Sequence, residues 1–352
     1  MVSTPSIHIS DIRSFRQCRR KWDWSSGLRQ NLEPIIPYAP FFTGRAIHAA
    51  LEFYYRDNIP LMQTVDTYLA SEEAQTVNIN LWDSEKGTFA EQIQLIRDLI
   101  AHYSLWISQD TKAYSDKNLE FISLEEEFQI PIPRMPYATF GGRLDGLVRH
   151  KVTGDYWIWE TKTARSIPEL INTLANDEQS GLYMYAARLT GRPVAGVIYN
   201  IIRKKAPAFP TTLQSGLLSK ARSIDTTAFH FAQCIRQTFP DWQDDTILNE
   251  YGDLLAALSD NEGKFFIRFP IHRNEHELEA LVENLRHTAI EMVNPDIPTY
   301  PAPSWMNCGF CTFKGPCLTQ NAGGNFQSLI DEEYQPRVSA TSMRKESEDV
   351  QI

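Results

Sequence analysis

The stretch that most limits what this chain can fold into is TFGGRLDGLVRHKVTGDYWIWETKT, residues 139–163. It holds two β-type segments, TFGGRLDGLVRH and DYWIWETKT, joined by the turn chemistry of KVTGD. A third β-type segment, EFISLEEEFQIPI, precedes them. Three such segments with short connections predict an antiparallel meander. QSGLYMYAARLTG then reads as a helix and VAGVIYNIIRK as a buried strand. Helix, meander, helix, strand is the order of a mixed α/β core.

Within the meander, side chains two apart share a face, so Glu160 and Lys162 point one way and Trp159 and Thr161 the other. Taken alone, such a pair is most simply a surface ion pair. Here it follows the apolar run WIW, and the neighbouring segment places Asp145 between glycines in an apolar context. A lone Asp there is ordinarily a turn residue; set beside Glu160 it becomes half of a two-carboxylate cation site. Hard cations such as Mg²⁺ take oxygen ligands and retain several waters, so two carboxylates and a substrate phosphate suffice. Lys162 beside them can orient or help deprotonate an attacking water and stabilise phosphorane charge.

GRLDG followed by a strand carrying ETK resembles the PD-(D/E)XK nuclease superfamily. GRAIHAALE, with His48, is similar to the helical histidine motif of its RecB-like branch, and QSGLYMY, with Gln179 and Tyr183, to that branch's Q-x-x-x-Y motif. The order His48, Asp145, Glu160 and Lys162, Gln179 and Tyr183 is the branch's order. The resemblance implies a restriction-endonuclease-like core sheet flanked by helices. It implies Mg²⁺ or Mn²⁺ held by His48, Asp145, Glu160 and the Thr161 main-chain carbonyl, with Asp145, Glu160, Lys162, Gln179 and Tyr183 as catalytic residues. No Pro precedes Asp145, as in many RecB-like members. Glu127 in LEEEF could also reach the site, and Glu52 is a candidate for a supporting role.

Three of the five cysteines, Cys308, Cys311 and Cys317, fall within ten residues, in a spacing that does not match a two-pair zinc ribbon. The spacing is similar to that of iron–sulfur RecB-like nucleases, the AddB-type subunit and CRISPR spacer-acquisition nucleases. That likeness implies a 4Fe–4S cluster completed by an upstream cysteine, here Cys18 in SFRQCRRKWDW, which would clasp the two ends of the chain. Structural Zn²⁺ in the same four thiolates is the alternative. Cys234, in FAQCIRQTF, reads as a buried small apolar residue.

These readings assign residues 1–325 to one nuclease domain, with a helical insertion over about 55–118 and the cysteine segment at 300–320; 326–352 reads as a disordered tail. Ser10 is a candidate N-cap for a helix running through DIRSFRQCRRKW. A net charge of −10 excludes a protein that coats nucleic acid through its overall field, but not a local basic groove. Candidate phosphate contacts are Arg16, Arg19, Arg20 and Lys21, and Arg203, Lys204 and Lys205. There is no apolar N-terminal signal and no membrane-length apolar run, so a cytoplasmic protein is expected, nucleoid-associated if bacterial and in the host cytoplasm if phage-encoded. The function expected from the resemblance is a metal-dependent deoxyribonuclease, an exonuclease acting on single-stranded DNA or DNA ends in recombination, repair or CRISPR-type processing. Without a Walker loop in the chain, unwinding would fall to a helicase, recombination or CRISPR partner. The competing reading is a non-catalytic DNA-binding or assembly subunit that keeps fold and cluster; RNA is a further substrate option.

Overall fold

A computed structural model describes residues 5–35, 39–70 and 83–337. The chain opens with β1 (Ser6–Ile7), α1 (Ile9–Gln17), α2 (Arg19–Ser25) and β2 (Leu32–Pro34), then the helices α3 (Ala39–Asp57), α4 (Leu61–Leu69) and α5 (Asp83–Gln109). The meander follows as β3 (Leu119–Ile132), β4 (Met135–His150) and β5 (Tyr156–Ala164). Next come α6 (Ile167–Leu174), α7 (Glu178–Leu189) and β6 (Gly196–Arg203). The remainder is α8 (Ala228–Thr238), α9 (Asp244–Leu258), β7 (Phe266–Ile271), α10 (Glu275–Met292), α11 (Trp305–Gly309), α12 (Lys314–Asn321), α13 (Phe326–Glu333) and β8 (Tyr334–Pro336).

The central sheet runs β1-β4-β5-β6-β7, with β3 on β4. β5 and β6 are parallel because α6 and α7 carry the chain over between them; β3, β4 and β5 are antiparallel, as short turns require. The mixed α/β core flanked by helices is therefore as the sequence pattern predicts.

The long strand β4 forks. It pairs with β5 only from Gly146↔Trp159 to Arg149↔Tyr156, while further back its Thr139 and Phe140 pair with β1. Asp145 stands at the point of divergence. On one face of the sheet Ile158, Tyr199 and Ile201 pack with Leu182, Tyr183, Leu278 and Leu285 from α7 and α10. On the other, Trp157, Trp159 and Ile198 pack with Leu119 and Val148. α3, with α4 and α5 of the expected helical insertion, builds a core around Ile47, Leu51, Ile96 and Tyr103, sealed by Ile202, Phe265 and Phe266.

One buried guanidinium ties that insertion to the back of the sheet. Arg268 on β7 lies over the rings of Trp159 and Trp106, 5.0 and 5.3 Å from their centroids. It donates to the Tyr114 carbonyl at 2.8 Å and pairs with Asp116. The Tyr55 and Tyr103 hydroxyls, on α3 and α5, close around it. Burying a charge is tolerable only with partners of this kind.

Two expectations are corrected. The N-terminal helix is capped at His8, whose N–H donates to Asp11 Oδ2 at 2.9 Å, and not at Ser10. It also breaks at Cys18, which is extended (φ −162°, ψ 113°) between α1 and α2. Residues 326–336, expected in a disordered tail, form α13 and β8, and β8 pairs antiparallel with β2. Phe313, Ile330 and Tyr334 bury Trp24 there, apolar contacts that the polar composition of the tail concealed. Of the rest of the expected tail, 338–352 lies outside the described residues.

Candidate active site

The fork in the sheet creates the site. Past Gly146↔Trp159 the β5 backbone has no β4 partner, and the Asp145 carboxylate takes that place, accepting the Thr161 N–H at 2.9 Å. A buried N–H left unpaired would cost about 1–3 kcal/mol, so Asp145 is locked to the strand that carries Glu160. Glu160 is buried, 4% exposed. Its Oε1 accepts from Lys162 Nζ at 2.5 Å and Gln179 Nε2 at 2.8 Å. The Gln179 side chain also lies 3.4 Å from Lys162 Nζ through its Oε1, so one amide holds both partners of the ion pair. Gln179 is itself set by Asp177, the α7 N-cap, whose carboxylate accepts the Gln179 N–H, the Tyr199 hydroxyl and Arg13.

His48 comes from α3, its Nδ1 3.3 Å from Asp145 Oδ2, with its ring hydrogen-bonded to the Thr161 backbone. His48, Asp145 and Thr161 are thus brought together. Tyr183, one turn beyond Gln179, is buried against Phe128 and hydrogen-bonds the Arg143 backbone. Gly142 permits this approach: a Cβ there would stand 2.6 Å from Phe128 Cζ and 3.0 Å from Tyr183 Cε1.

The electrostatics are those of crowded carboxylates. Burial first, then the Glu160 charge, raises the Asp145 pKa well above the usual range. Burial opposes charge on Lys162, but Glu160 outweighs it and the ammonium's pKa is raised, which keeps Lys162 protonated at neutral pH. Removal from water lowers the pKa of His48, leaving a neutral imidazole suited to a metal. Crowded carboxylates, an imidazole and a backbone carbonyl are the donor types that hard cations accept, and here the Thr161 N–H and Lys162 already offset part of the carboxylates' repulsion. Among the described residues, no three His, Cys, Asp or Glu side chains converge to enclose a metal ion on their own.

Glu127, the acidic residue of LEEEF expected to reach the site, stands opposite Arg143 in the β3–β4 ladder. Glu125, which the sequence did not single out, also reaches the site: it falls opposite Asp145 in the β3–β4 ladder and pairs with Arg143 Nε at 2.7 Å. Burial, helped by Asp145 and Glu52, pushes its pKa up to about 7. Its φ of +51° has no signal in LEEEF.

Most of the basic residues expected at phosphates meet groups of their own chain. Arg16 pairs with Glu178 and Thr288, and Arg19 with Glu291 while lying over Phe15 and Tyr300. Arg20 donates to Asn321 and Lys21 to Gln17. Arg203 and Lys205 share Asp225, whose pKa they hold down to about 2. The Lys204 N–H donates to the Ala164 carbonyl, and burial beside Arg165 lowers its ammonium pKa.

The cysteine segment meets the N-terminal helices. Ala302 N–H donates to Cys18 Sγ at 3.5 Å, Arg20 Nη1 to Cys317 Sγ at 3.5 Å, and Asn307 Nδ2 to the Gln17 carbonyl at 3.1 Å. Burial raises the Cys311 thiol pKa, with Cys18 and Cys317 close enough to add to it and Lys21 close enough to oppose it. Cys308 lies one turn away, its carbonyl accepting the Cys311 N–H. Cys234 is buried in the separate α8–α9 core.

The sequence profile of the PD-(D/E)XK nuclease superfamily matches residues 7–318, and the chain belongs to that superfamily. No protein of curated function matches it. Among the described residues no helix is long and apolar enough to cross a membrane.

Replacing Gly142 by Ala is expected to drive Tyr183 and Phe128 apart, lowering stability by about 1–3 kcal/mol in thermal melts. Nuclease activity should fall further than the melting temperature alone explains; a variant with wild-type melting and activity would remove Tyr183 from the site.

Proposed function

We propose that the chain is a metal-dependent deoxyribonuclease of the RecB-like branch that hydrolyses phosphodiester bonds as an exonuclease on single-stranded DNA or DNA ends. The observation that carries this is the contact set at the fork: Asp145 on the β5 backbone, Glu160 on Lys162, and Gln179 on both. Non-catalytic descendants of such a fold lose one of these groups; here all are present and in contact, which disfavours a purely assembling subunit.

Asp145, Glu160, His48 and the Thr161 carbonyl would hold Mg²⁺ or Mn²⁺, which when bound activates water and neutralises the scissile phosphate. Lys162, kept protonated by Glu160, donates to the attacking water or to a phosphoryl oxygen as charge develops there. Gln179 keeps Lys162 and Glu160 in register through the reaction. Tyr183 shapes the wall along which the strand enters. A role in recombination, repair or CRISPR-type processing in the cytoplasm, with a helicase or other partner supplying unwinding, is consistent with this chemistry.

We propose further that Cys18, Cys308, Cys311 and Cys317 hold a 4Fe–4S cluster, with structural Zn²⁺ as the alternative. The N–H and guanidinium donors to Cys18 and Cys317 Sγ are what cluster thiolates accept. The cluster would complete a clasp that β2–β8 already makes between the chain's ends.

Glu160→Ala is expected to keep its fold by circular dichroism and lose Mg²⁺- or Mn²⁺-dependent cleavage of end-labelled DNA, while undiminished cleavage would remove Glu160 from the chemistry. Anaerobically purified protein is expected to be brown, with iron and sulfide; a colourless protein holding one zinc would overturn the cluster and leave the nuclease standing.

A further inference from the structure

Among the described residues, four non-glycine residues have positive φ: Asn31, Asn58, Arg134 and Glu125. Asn tolerates that region, and Arg134 lies in the turn between β3 and β4. Glu125 alone lies inside a strand. The ladder pairs Leu124↔Gly146 and Glu126↔Leu144, so Glu125 falls opposite Asp145. A strained glutamate at that point persists only if its surroundings impose it, and such residues gather at functional sites.

What the strain achieves is visible in the side chains. The Glu125 carboxylate, 10% exposed, meets Arg143 Nε at 2.7 Å, and the Arg143 side chain remains 40% exposed. Arg143 and Asp145 are alternate residues of β4 and share its face. The pair is made through Nε, whereas four of the five guanidinium N–H donors belong to the two Nη groups. A buried carboxylate thus props a half-open guanidinium fork near the Asp145 carboxylate, whose charge it favours. An ordinary surface ion pair would need neither the buried carboxylate nor the left-handed backbone.

We propose that Arg143, aimed by Glu125, binds a backbone phosphate of the nucleic-acid strand next to the Asp145–Glu160 pair. This rests on the nuclease reading above and adds the group that seats the diester. The planar fork suits two phosphate oxygens at once, which a lysine cannot reproduce. Glu125 is a positioning residue: it touches Arg143 and no substrate. The site needs this cation because its other charges are mostly carboxylates, which repel the substrate until a divalent ion is present.

The test uses the full chain and a fluorescein-labelled single-stranded DNA oligonucleotide in EDTA, with anisotropy read across a series of KCl concentrations. Arg143→Ala is expected to weaken binding about tenfold and to make the slope of log affinity against log salt shallower by about 0.7, the value for one single-strand phosphate contact. Arg143→Lys should restore the slope but not the KM for Mn²⁺-dependent cleavage. Should Arg143→Ala fold poorly, Arg143→Gln, uncharged and of similar reach, gives the same readout. Glu125→Gly suits the backbone, so its melting temperature should equal or exceed that of the wild type while KM rises. Wild-type affinity and slope in Arg143→Ala, with the wild type cleaving normally, would overturn the phosphate site alone. A lowered melting temperature with unchanged KM in Glu125→Gly would reduce that residue to a structural one. If the wild type cleaves no nucleic acid, the nuclease reading fails, and the salt slope still reports whether Arg143 meets a phosphate.

Discussion

The hydrogen bond from the Thr161 N–H to the Asp145 carboxylate, 2.9 Å long, stands where β4 departs from β5 and the ladder runs out of backbone acceptors. A side chain there substitutes for a main-chain carbonyl, so the requirement that a buried N–H find a partner fixes an acidic group at the fork. From that follow the crowding of Asp145 with Glu160, the raised Asp145 pKa, and the reach of His48 to the same carboxylate. Divergence of the strands frees the Thr161 N–H, and the bond that satisfies it sets a carboxylate beside Glu160.

Around this point the fold assigns separate tasks to separate layers. α7 brings Gln179 and Tyr183 from one face, steered by Asp177 and by the space Gly142 leaves. α3 brings His48, and the same helix places Tyr55 against Arg268 behind the sheet, so the insertion is docked by a buried cation rather than by apolar contact alone. The chain's two ends are joined through β2–β8 and through contacts between α1–α2 and the cysteine segment. Arg16 and Arg19 of the N-terminal helices serve these joints, pairing with Glu178 and Glu291.

Much of this was legible in the sequence because it depends on short-range periodicity. Alternation along β5 puts Glu160 and Lys162 together, helical spacing puts Gln179 one turn from Tyr183, and turn chemistry fixes the meander. What escaped depends on distant partners. Glu125 stands beside Asp145 with its backbone at positive φ, which no residue preference for Glu announces. Cys18 breaks a continuous helical pattern, and its thiol is met by Ala302, nearly the whole chain away. The carboxylate partners of Arg16, Arg19 and Arg203, namely Glu178, Glu291 and Asp225, lie far off in the chain and have no local signal. α13 is polar in composition, yet Ile330 and the following Tyr334 reach Trp24 and anchor it.

The central claim is that the carboxylate at the fork exists to hold a divalent cation. Asn in place of Asp145 keeps an oxygen that can accept the Thr161 N–H, so Asp145→Asn separates the structural bond from the charge. Mn²⁺ titrated into both proteins and followed by electron paramagnetic resonance is the direct measurement. The wild type should sequester the ion at one site, and Asp145→Asn should lose that binding while its melting temperature stays close to the wild type's. Equal Mn²⁺ binding by the two proteins would contradict the account.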